Sequence, residues 1–405
     1  MMTPMEWRWR PSSGNVTFLL LVIIISPLLA NSWTNIGVQS SISYRSYRRS
    51  MQHMHLHSTG KHQFENESAN NNQPNTRLLV FGLGNIGTLV AKIAATHLSS
   101  NSTPSFDRVY GTTRSGKEIE NVHTVQFDSY EDIRDVISSC THILTTIPPI
   151  EAENATNTTF IGEQPRNWSH FCDPVLNNPS LRLHEIAKPN TWIGYVSSTS
   201  VYGNHDGNWV NEDSDIKCDP TSKGALYLRA ENEWIDAANS GGWKMNVFRC
   251  AGLYGDGRSA LHTIRKRGVQ HEKNKTSNMK IGNPTSRIHE KDAARAILSA
   301  MLISDETGGD TSCKRYNLAD DNPTPRHEVM AFGHELLDDS NLLPSETPKP
   351  SSRRRPSERE KRRKTDKKRV ENKRMKESLL PEGLLYPTYR EGLKAVLDIN
   401  KEKWR

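Results

Sequence analysis

The sequence predicts an α/β protein built on a doubly wound parallel sheet, and three observations predict it. Strand-like and helix-like segments alternate from Arg77 onwards. The first strand-like run ends in the pattern Gly82-x-Gly84-x-x-Gly87, and a segment with helical periodicity follows at once. Such alternation calls for parallel strands with helices on both faces.

The elements follow in order. "RLLVFG", from Arg77, is a short apolar run closed by glycine, and "IGTLVAKIAATHL" has apolar residues at helical spacing. "RVYGTT" and "HTVQFD" read as the second and third strands, "YEDIRDVISSC" as a helix and "HILTTIPP" as the fourth strand. "PVLNNPSLRLHEIA" reads as a helix with a loose start and "TWIGYVSST" as the fifth strand; "ALYLRAENEWIDAA" is a helix and "KMNVFRCAG" the sixth strand. After Tyr254 the regularity fades. "IHEKDAARAILSAML" and "PRHEVMAFGHELL" read as helices around a short strand, "RYNLAD", which predicts a small C-terminal lobe.

The charge is unevenly placed. The chain of 405 residues carries a net charge of +7, yet Lys349–Lys376 alone holds 15 Lys/Arg against 4 Asp/Glu. The rest is therefore mildly acidic, at about −4, and the overall basicity does not argue for nucleic acid. The segment "SSRRRPSEREKRRKTDKKRVENKR" lacks interleaved aromatics and mixes in Pro, Ser and Glu. A solvated, disordered insert at 344–367 is expected rather than a nucleic-acid patch. Its "KKRVENKR" end is a candidate to close over the lobe and attract an anionic substrate. The 5 cysteines, at 140, 172, 218, 250 and 313, form no CxxC pair and no metal spacing, so neither a disulfide framework nor a metal site is expected.

Residues 1–75 read as a presequence and linker. The basic "MMTPMEWRWR" precedes an apolar run, Val16–Ala30, that is shorter than a membrane span of about 20 residues. This predicts a cleaved signal peptide and no membrane segment in the mature chain. "SSISYRSYRRSMQHMHLHSTGKH" then has Ser, Arg and His without an acid, as an organelle transit peptide does. Signal plus transit segment predicts a plastid destination; the secretory pathway or endoplasmic reticulum is the alternative. N-x-S/T sequences at Asn66, Asn101, Asn154, Asn157, Asn167 and Asn274 suit that alternative.

The glycines carry the first functional reading. After a strand and before a helix, Gly82 allows a tight turn, Gly84 lets a diphosphate approach the backbone, and Gly87 lets helix and strand pack. The helix start at Asn85 and Ile86 offers free N–H groups and a partial positive charge to phosphate. A Rossmann-type dinucleotide-binding domain over 76–250 is expected, with a substrate lobe over 251–400. The alternative is a glycine-rich turn without a ligand. NAD binders place an acid at the end of the second strand; here that end carries Thr112, Thr113 and Arg114, and Asp107 lies before the strand. Arg114 could clamp a 2′-phosphate, so NADP is expected over NAD. Asp128 is a candidate for the adenine amino group. Thr145, Thr146 and Pro148 end the fourth strand, where a ligand crosses the sheet.

"YVSSTSVYGNHDGNWVNED", from Tyr195, resembles the fifth strand and following loop of extended short-chain dehydrogenases/reductases, the NAD-dependent epimerase/dehydratase group. "RIHEKDAARAI", "YNLADDNPTPRHEVM" and "KRVENKRMKESLL" with "YPTYREGL" resemble its atypical, YeeZ-like branch. The resemblance runs from about Arg77 to Leu397. It implies hydride transfer assisted by a Ser/Thr, a Tyr and a Lys, with Ser198 at the Ser/Thr position. Counting back from Glu231, Lys223 stands where the family has its tyrosine and Tyr227 where it has its lysine. One helical turn is about 5.4 Å, while proton transfer needs about 3 Å, so Tyr227 cannot act from the usual place on a substrate bound in the usual way. Tyr202 reads as a packing residue. Arg287, His289 and Asp292 are candidates to line the substrate lobe, Asp292 near a helix N-terminus. The expected function is an NADP-dependent oxidoreductase or epimerase-like enzyme acting on a small carbonyl, hydroxyl or nucleotide-sugar-like substrate. The alternative is a non-catalytic NAD(P)-binding sensor or scaffold with a degenerate active site.

Overall fold

The computed structural model describes residues 76–96, 106–151, 171–267, 282–306, 313–344 and 367–405. The presequence, the six N-x-S/T sites and the basic insert apart from its two ends lie outside the described residues. Seven parallel strands form the central sheet: β1 (Arg77–Phe81), β2 (Arg108–Thr113), β3 (His123–Gln126), β4 (His142–Thr145), β5 (Trp192–Ser198), β6 (Lys244–Cys250) and β7 (Lys314–Leu318). Their spatial order is β7-β6-β5-β4-β1-β2-β3. The order reverses between β1 and β4, where Phe81 pairs with Thr145. In such sheets ligands bind outside the carboxyl ends of the strands at that reversal.

Central strands buried on both faces read as continuous apolar runs. β1 and β4 do, and Leu78, Leu79, Val80, Phe81, Ile143 and Leu144 are all buried. On one face, α1 (Asn85–Thr96) and α4 (Glu290–Glu306) pack their apolar stripes together over Leu78, Val80 and Phe248. On the other, α2 (Tyr130–Ser139) and α3 (Lys223–Gly241) cover Leu79, Phe81 and Ile193. A third cluster joins Leu261 and Ile264 to α5 (Arg326–Asp339) and α6 (Tyr389–Trp404).

The sequence pattern and the structure part in three places. "PVLNNPSLRLHEIA" gives a single helical turn, Leu183–Ile186, preceded by turns. Asp173 accepts hydrogen bonds from the Val175 and Leu176 amides, and Asn178 from Ser180; side chains that bond nearby backbone compete with the helix. Arg287–His289 are a strand, β8 here, paired in parallel with Gly252–Tyr254 rather than the opening of the next helix. "RYNLAD" joins the main sheet as its edge strand β7, and α4 packs on α1, so residues beyond 250 also build the central sheet and the layer on one of its faces. Lys367 and the residues after it dock on the loop that follows β5. The His205 and Gly207 amides donate to the Lys367 carbonyl, and Arg369–Val370 pair with Trp209–Val210.

Candidate functional site

The glycine turn at the carboxyl end of β1 is shaped by contacts. Gly82 sits at φ +89°, a left-handed conformation that side chains resist. Its N–H donates to Thr112 Oγ1 at 2.9 Å, and its carbonyl accepts from Thr146 Oγ1 at 2.7 Å. A Cβ on Gly87 would lie 2.1 Å from the Gly82 carbonyl oxygen, so only glycine lets α1 start this close to β1. A Cβ on Gly84 would meet nothing within 4 Å. The open side of the turn is therefore at Gly84, beside exposed Asn85 and the first N–H groups of α1, and the first turn of α1 holds no acid. This cradle fits a dinucleotide diphosphate. Ile86 is buried beneath it. Thr112 could be read as part of the strand end, but its hold on the Gly82 amide from β2 could not.

Thr145, Thr146 and Pro148 stand beside the turn. Thr146 locks it through the Phe81 and Gly82 carbonyls, Thr145 is fully buried with its hydroxyl unpartnered among the described residues, and Pro148 is exposed. Arg114 is exposed just past β2, and Thr113 Oγ1 caps the loop by accepting from the Ser115 amide at 3.2 Å. Lys117 is exposed in the same loop. Asp128 is exposed in the turn after β3. Asp107 lies at the far end of the sheet, where its carboxylate accepts from the Thr76 amide at 2.6 Å.

Ser198 ends β5 and caps the short 3-10 turn Thr199–Tyr202, accepting from the Ser200 amide at 3.2 Å. Its hydroxyl proton thus remains available to a ligand. The start of α3 is pressed against this turn: a Cβ on Gly224 would lie 2.3 Å from the Ser200 carbonyl oxygen. That approach sets the start of α3, which carries Lys223 and Tyr227, against the turn that Ser198 caps. The Lys223 ammonium sits over the Tyr227 ring, 5.6 Å from its centroid. Lys223 is exposed, while Tyr227 is half-buried against two apolar clusters. Burial pushes the Tyr227 phenol above its ordinary pKa, with Cys250 adding to the shift and Arg258 opposing it. One turn on, Glu231 is buried in an ion pair with Arg249 of β6 at 2.8 Å and accepts from Ser197 Oγ at 2.5 Å. Arg249 also lies 5.0 Å from the Tyr202 ring centroid, and the Tyr202 hydroxyl donates to Asn317 at 2.7 Å. Tyr202 is thus a packed core residue.

Arg287 and His289 alternate on β8 and share one of its faces. Asp292, on the first turn of α4, is fully occupied. It accepts from the Leu385 and Tyr386 amides at 2.8 and 2.9 Å and pairs with Arg295 at 2.9 Å, which clamps the 385–386 loop. His289 meets Tyr386 at a tilt, with ring centroids 4.1 Å apart, and Tyr254 edge-on at 5.2 Å. Burial, helped by Lys291, lowers its pKa to about 4. The residue missed in the sequence is Asp320, in the "LADD" that follows β7. Its amide donates to the Arg287 carbonyl at 2.6 Å, and burial raises its carboxyl to about 8 against the pull of Arg287. An acid whose folded-state pKa is raised loses stability as pH rises from the unfolded to the folded value. Asp320→Asn is therefore expected to gain on the parent as pH goes from about 4 to about 8, by up to about 1.4 kcal/mol per unit. Urea denaturation at both ends of the range reads it; a constant difference would contradict the buried-acid account.

Among the described residues no cluster of His, Cys, Asp or Glu is arranged to hold a metal, and no helix is long and apolar enough to cross a membrane. No family model and no curated protein matches the sequence. Solved structures do match. A functionally unknown conserved protein from Silicibacter pomeroyi is 26% identical, with a TM-score of 0.58 over 80% of this chain and 99% of its own. MoeE5 in complex with UDP-glucose and NAD is 16% identical, with a TM-score of 0.54 over 81% of this chain and 100% of its own. UDP-glucuronic acid 4-epimerase from Bacillus cereus in complex with NAD is 16% identical, with a TM-score of 0.53 over 82% of this chain and 100% of its own. The latter two share the fold. The chain therefore has the Rossmann-type fold of nucleotide-sugar epimerases that carry NAD.

Proposed function

We propose that the chain is an NADP-dependent oxidoreductase or epimerase-like enzyme of the atypical short-chain dehydrogenase/reductase type. Its substrate is a small carbonyl, hydroxyl or nucleotide-sugar-like compound. The observation that supports this reading is the turn at Gly82, Gly84 and Gly87, together with the packing of the start of α3, which carries Lys223 and Tyr227, on the turn that Ser198 caps. The coenzyme supplies or accepts hydride when bound. The α1 amides hold its diphosphate, and Arg114, with Lys117 in the same loop, takes the 2′-phosphate. Ser198, whose oxygen already accepts from Ser200, turns its proton to the substrate oxygen. Lys223, at the helix position where the resemblance has its proton-transferring tyrosine, moves the proton. Tyr227, half-buried and raised in pKa, holds the nicotinamide ribose.

Steady-state turnover of an NADPH-dependent carbonyl substrate tests these roles. Ser198→Ala and Lys223→Met are each expected to lower kcat by about 10²-fold or more with NADPH affinity retained, while Tyr227→Phe acts mainly on coenzyme binding. A Lys223→Met enzyme with full kcat would end the proposed division of roles. The second reading, a non-catalytic sensor, is favoured by one observation: the Lys223 ammonium rests on the Tyr227 ring, away from the phenol it would have to activate. NADPH binding without oxidation across a panel of carbonyl and sugar substrates would select it. The first 75 residues are proposed to direct the chain to a plastid; a fluorescent fusion that stays in the cytosol or enters the secretory pathway would reject that.

A further inference from the structure

Three side chains at the carboxyl edge of the sheet are buried with polar atoms that nothing satisfies. Arg287, His289 and Asp320 are 9%, 2% and 1% exposed, and among the described residues Arg287 Nη1, His289 Nε2 and Asp320 Oδ2 have no hydrogen-bond partner. Buried polar atoms are nearly always satisfied, so an orphan asks for an occupant. Three from three neighbouring side chains ask for one more strongly.

The three belong to one place. Arg287 and His289 share a face of β8, and the Asp320 amide is bonded to the Arg287 carbonyl at 2.6 Å. Aromatic rings wall the group: Tyr254 and Tyr386 against His289, and Tyr389 under Arg287 at 5.6 Å. The other polar atoms are anchored. Arg287 Nη2 donates to the Thr324 carbonyl at 2.6 Å, Asp320 Oδ1 accepts from the Asn322 amide at 3.2 Å, and His289 Nδ1 accepts from the Lys291 amide at 3.2 Å. This last bond fixes the tautomer. Nδ1 bears no proton, so the neutral ring carries it on Nε2, which is a donor without an acceptor. Arg287 and Asp320 do not close on each other.

We infer that Arg287, His289 and Asp320 form a buried site for a carboxylate borne by the substrate, an inference that rests on the enzymatic reading above. Two donors whose side chains are anchored through their other nitrogens, Arg287 Nη1 and His289 Nε2, are available to the two oxygens of such a group. Burial keeps Asp320 protonated near neutral pH, which turns its free oxygen into a third donor and removes the like charge that would repel an anion. The neighbouring charges do not alter that balance. Asp292 is paired with Arg295, Asp321 with Lys376, and Glu391 accepts from the Thr388 amide, while Arg326 and Lys291 add positive potential.

The site also lies within a substrate's reach of the reacting centre. Ser198 pairs with Cys250, and Cys250 with Leu318, two residues before Asp320. Two strand spacings put Ser198 about 10 Å from Leu318. The substrate class that follows is a carboxylated carbonyl or hydroxyl compound whose acid group lies several bonds from the carbon undergoing chemistry.

The test takes the full chain, with and without NADPH, and uses acetate as the probe, with acetamide and chloride as controls. Acetate is expected to raise the melting temperature saturably and to bind at least about tenfold tighter than acetamide. Arg287→Gln is expected to remove that effect. Raising the pH from about 6.5 to about 9.5 is expected to weaken acetate about tenfold in the parent and to leave Asp320→Asn unchanged, a readout that holds even if the Arg287 variant does not fold. Acetate that behaves like chloride and acetamide in the parent would mean that only water completes these atoms, and would overturn the site. So would saturable binding that survives both Arg287→Gln and high pH. NADPH affinity, read in the same samples, decides the coenzyme reading separately; its absence leaves the acetate result fully interpretable.

Discussion

Glu231→Gln and Arg249→Met are each expected to lower stability by about 3–5 kcal/mol. Both partners are buried, and Arg249 reaches Glu231 through Nε and Nη2. Either change strands the other group where water cannot solvate it. The pair ties three elements together, because Glu231 stands on α3, Arg249 on β6, and Ser197, which donates to Glu231, on β5. Losing it should therefore also shift Ser198 against Lys223 and Tyr227. The double variant Glu231→Leu/Arg249→Met removes both charges and is expected to recover much of the loss, since apolar replacement of a buried pair is often neutral. Urea denaturation in a double-mutant cycle measures this. Additive single effects would mean that the two side chains do not act as a pair.

The second large effect is at the glycine turn, where two substitutions of the same size should behave oppositely. Gly87→Ala puts a methyl 2.1 Å from the Gly82 carbonyl oxygen. Backbone cannot yield as a side chain end can, so a loss of about 3 kcal/mol is expected, with NADPH binding lost as the turn deforms. Gly84→Ala meets nothing within 4 Å in the protein. Its stability should stay within about 0.5 kcal/mol of the parent, while its methyl fills the space through which a diphosphate approaches. NADPH affinity should fall without a change in melting temperature. If Gly84→Ala binds NADPH as the parent does, the open side of the turn is not where the coenzyme lies.

Much of the fold was legible because it is written in local periodicity. The apolar runs of β1 and β4 and the glycines that follow β1 announce the sheet and its first crossover. What periodicity could not convey is partnership. Nothing in "SRIHEKD" distinguishes a strand at Arg287–His289 from the first turn of a helix until Gly252–Tyr254 is found beside it. Nor does "RYNLAD" reveal that it borders β6. The Asp173 and Asn178 side chains defeated a helix whose apolar spacing was adequate. The glycine turn follows β1 directly and Arg114 is exposed past β2, positions that are local in the sequence. The closeness of Lys223 to Tyr227 followed from helical geometry. Asp292 illustrates the limit: its place near a helix N-terminus could be read, but its engagement with Leu385, Tyr386 and Arg295 comes from residues about 90 positions away or one turn on. Asp320 was invisible for the same reason: it lies within "YNLADDNPTPRHEVM", but nothing there sets it apart until the fold places its amide on the Arg287 carbonyl.

Titration calorimetry of NADPH, and then NADH, into the full chain tests the central claim most directly. Saturable NADPH binding, about tenfold tighter than NADH and weakened by Gly84→Ala, is the predicted result. No heat with either nucleotide would contradict the account, because the cradle at the end of β1 would then hold no dinucleotide.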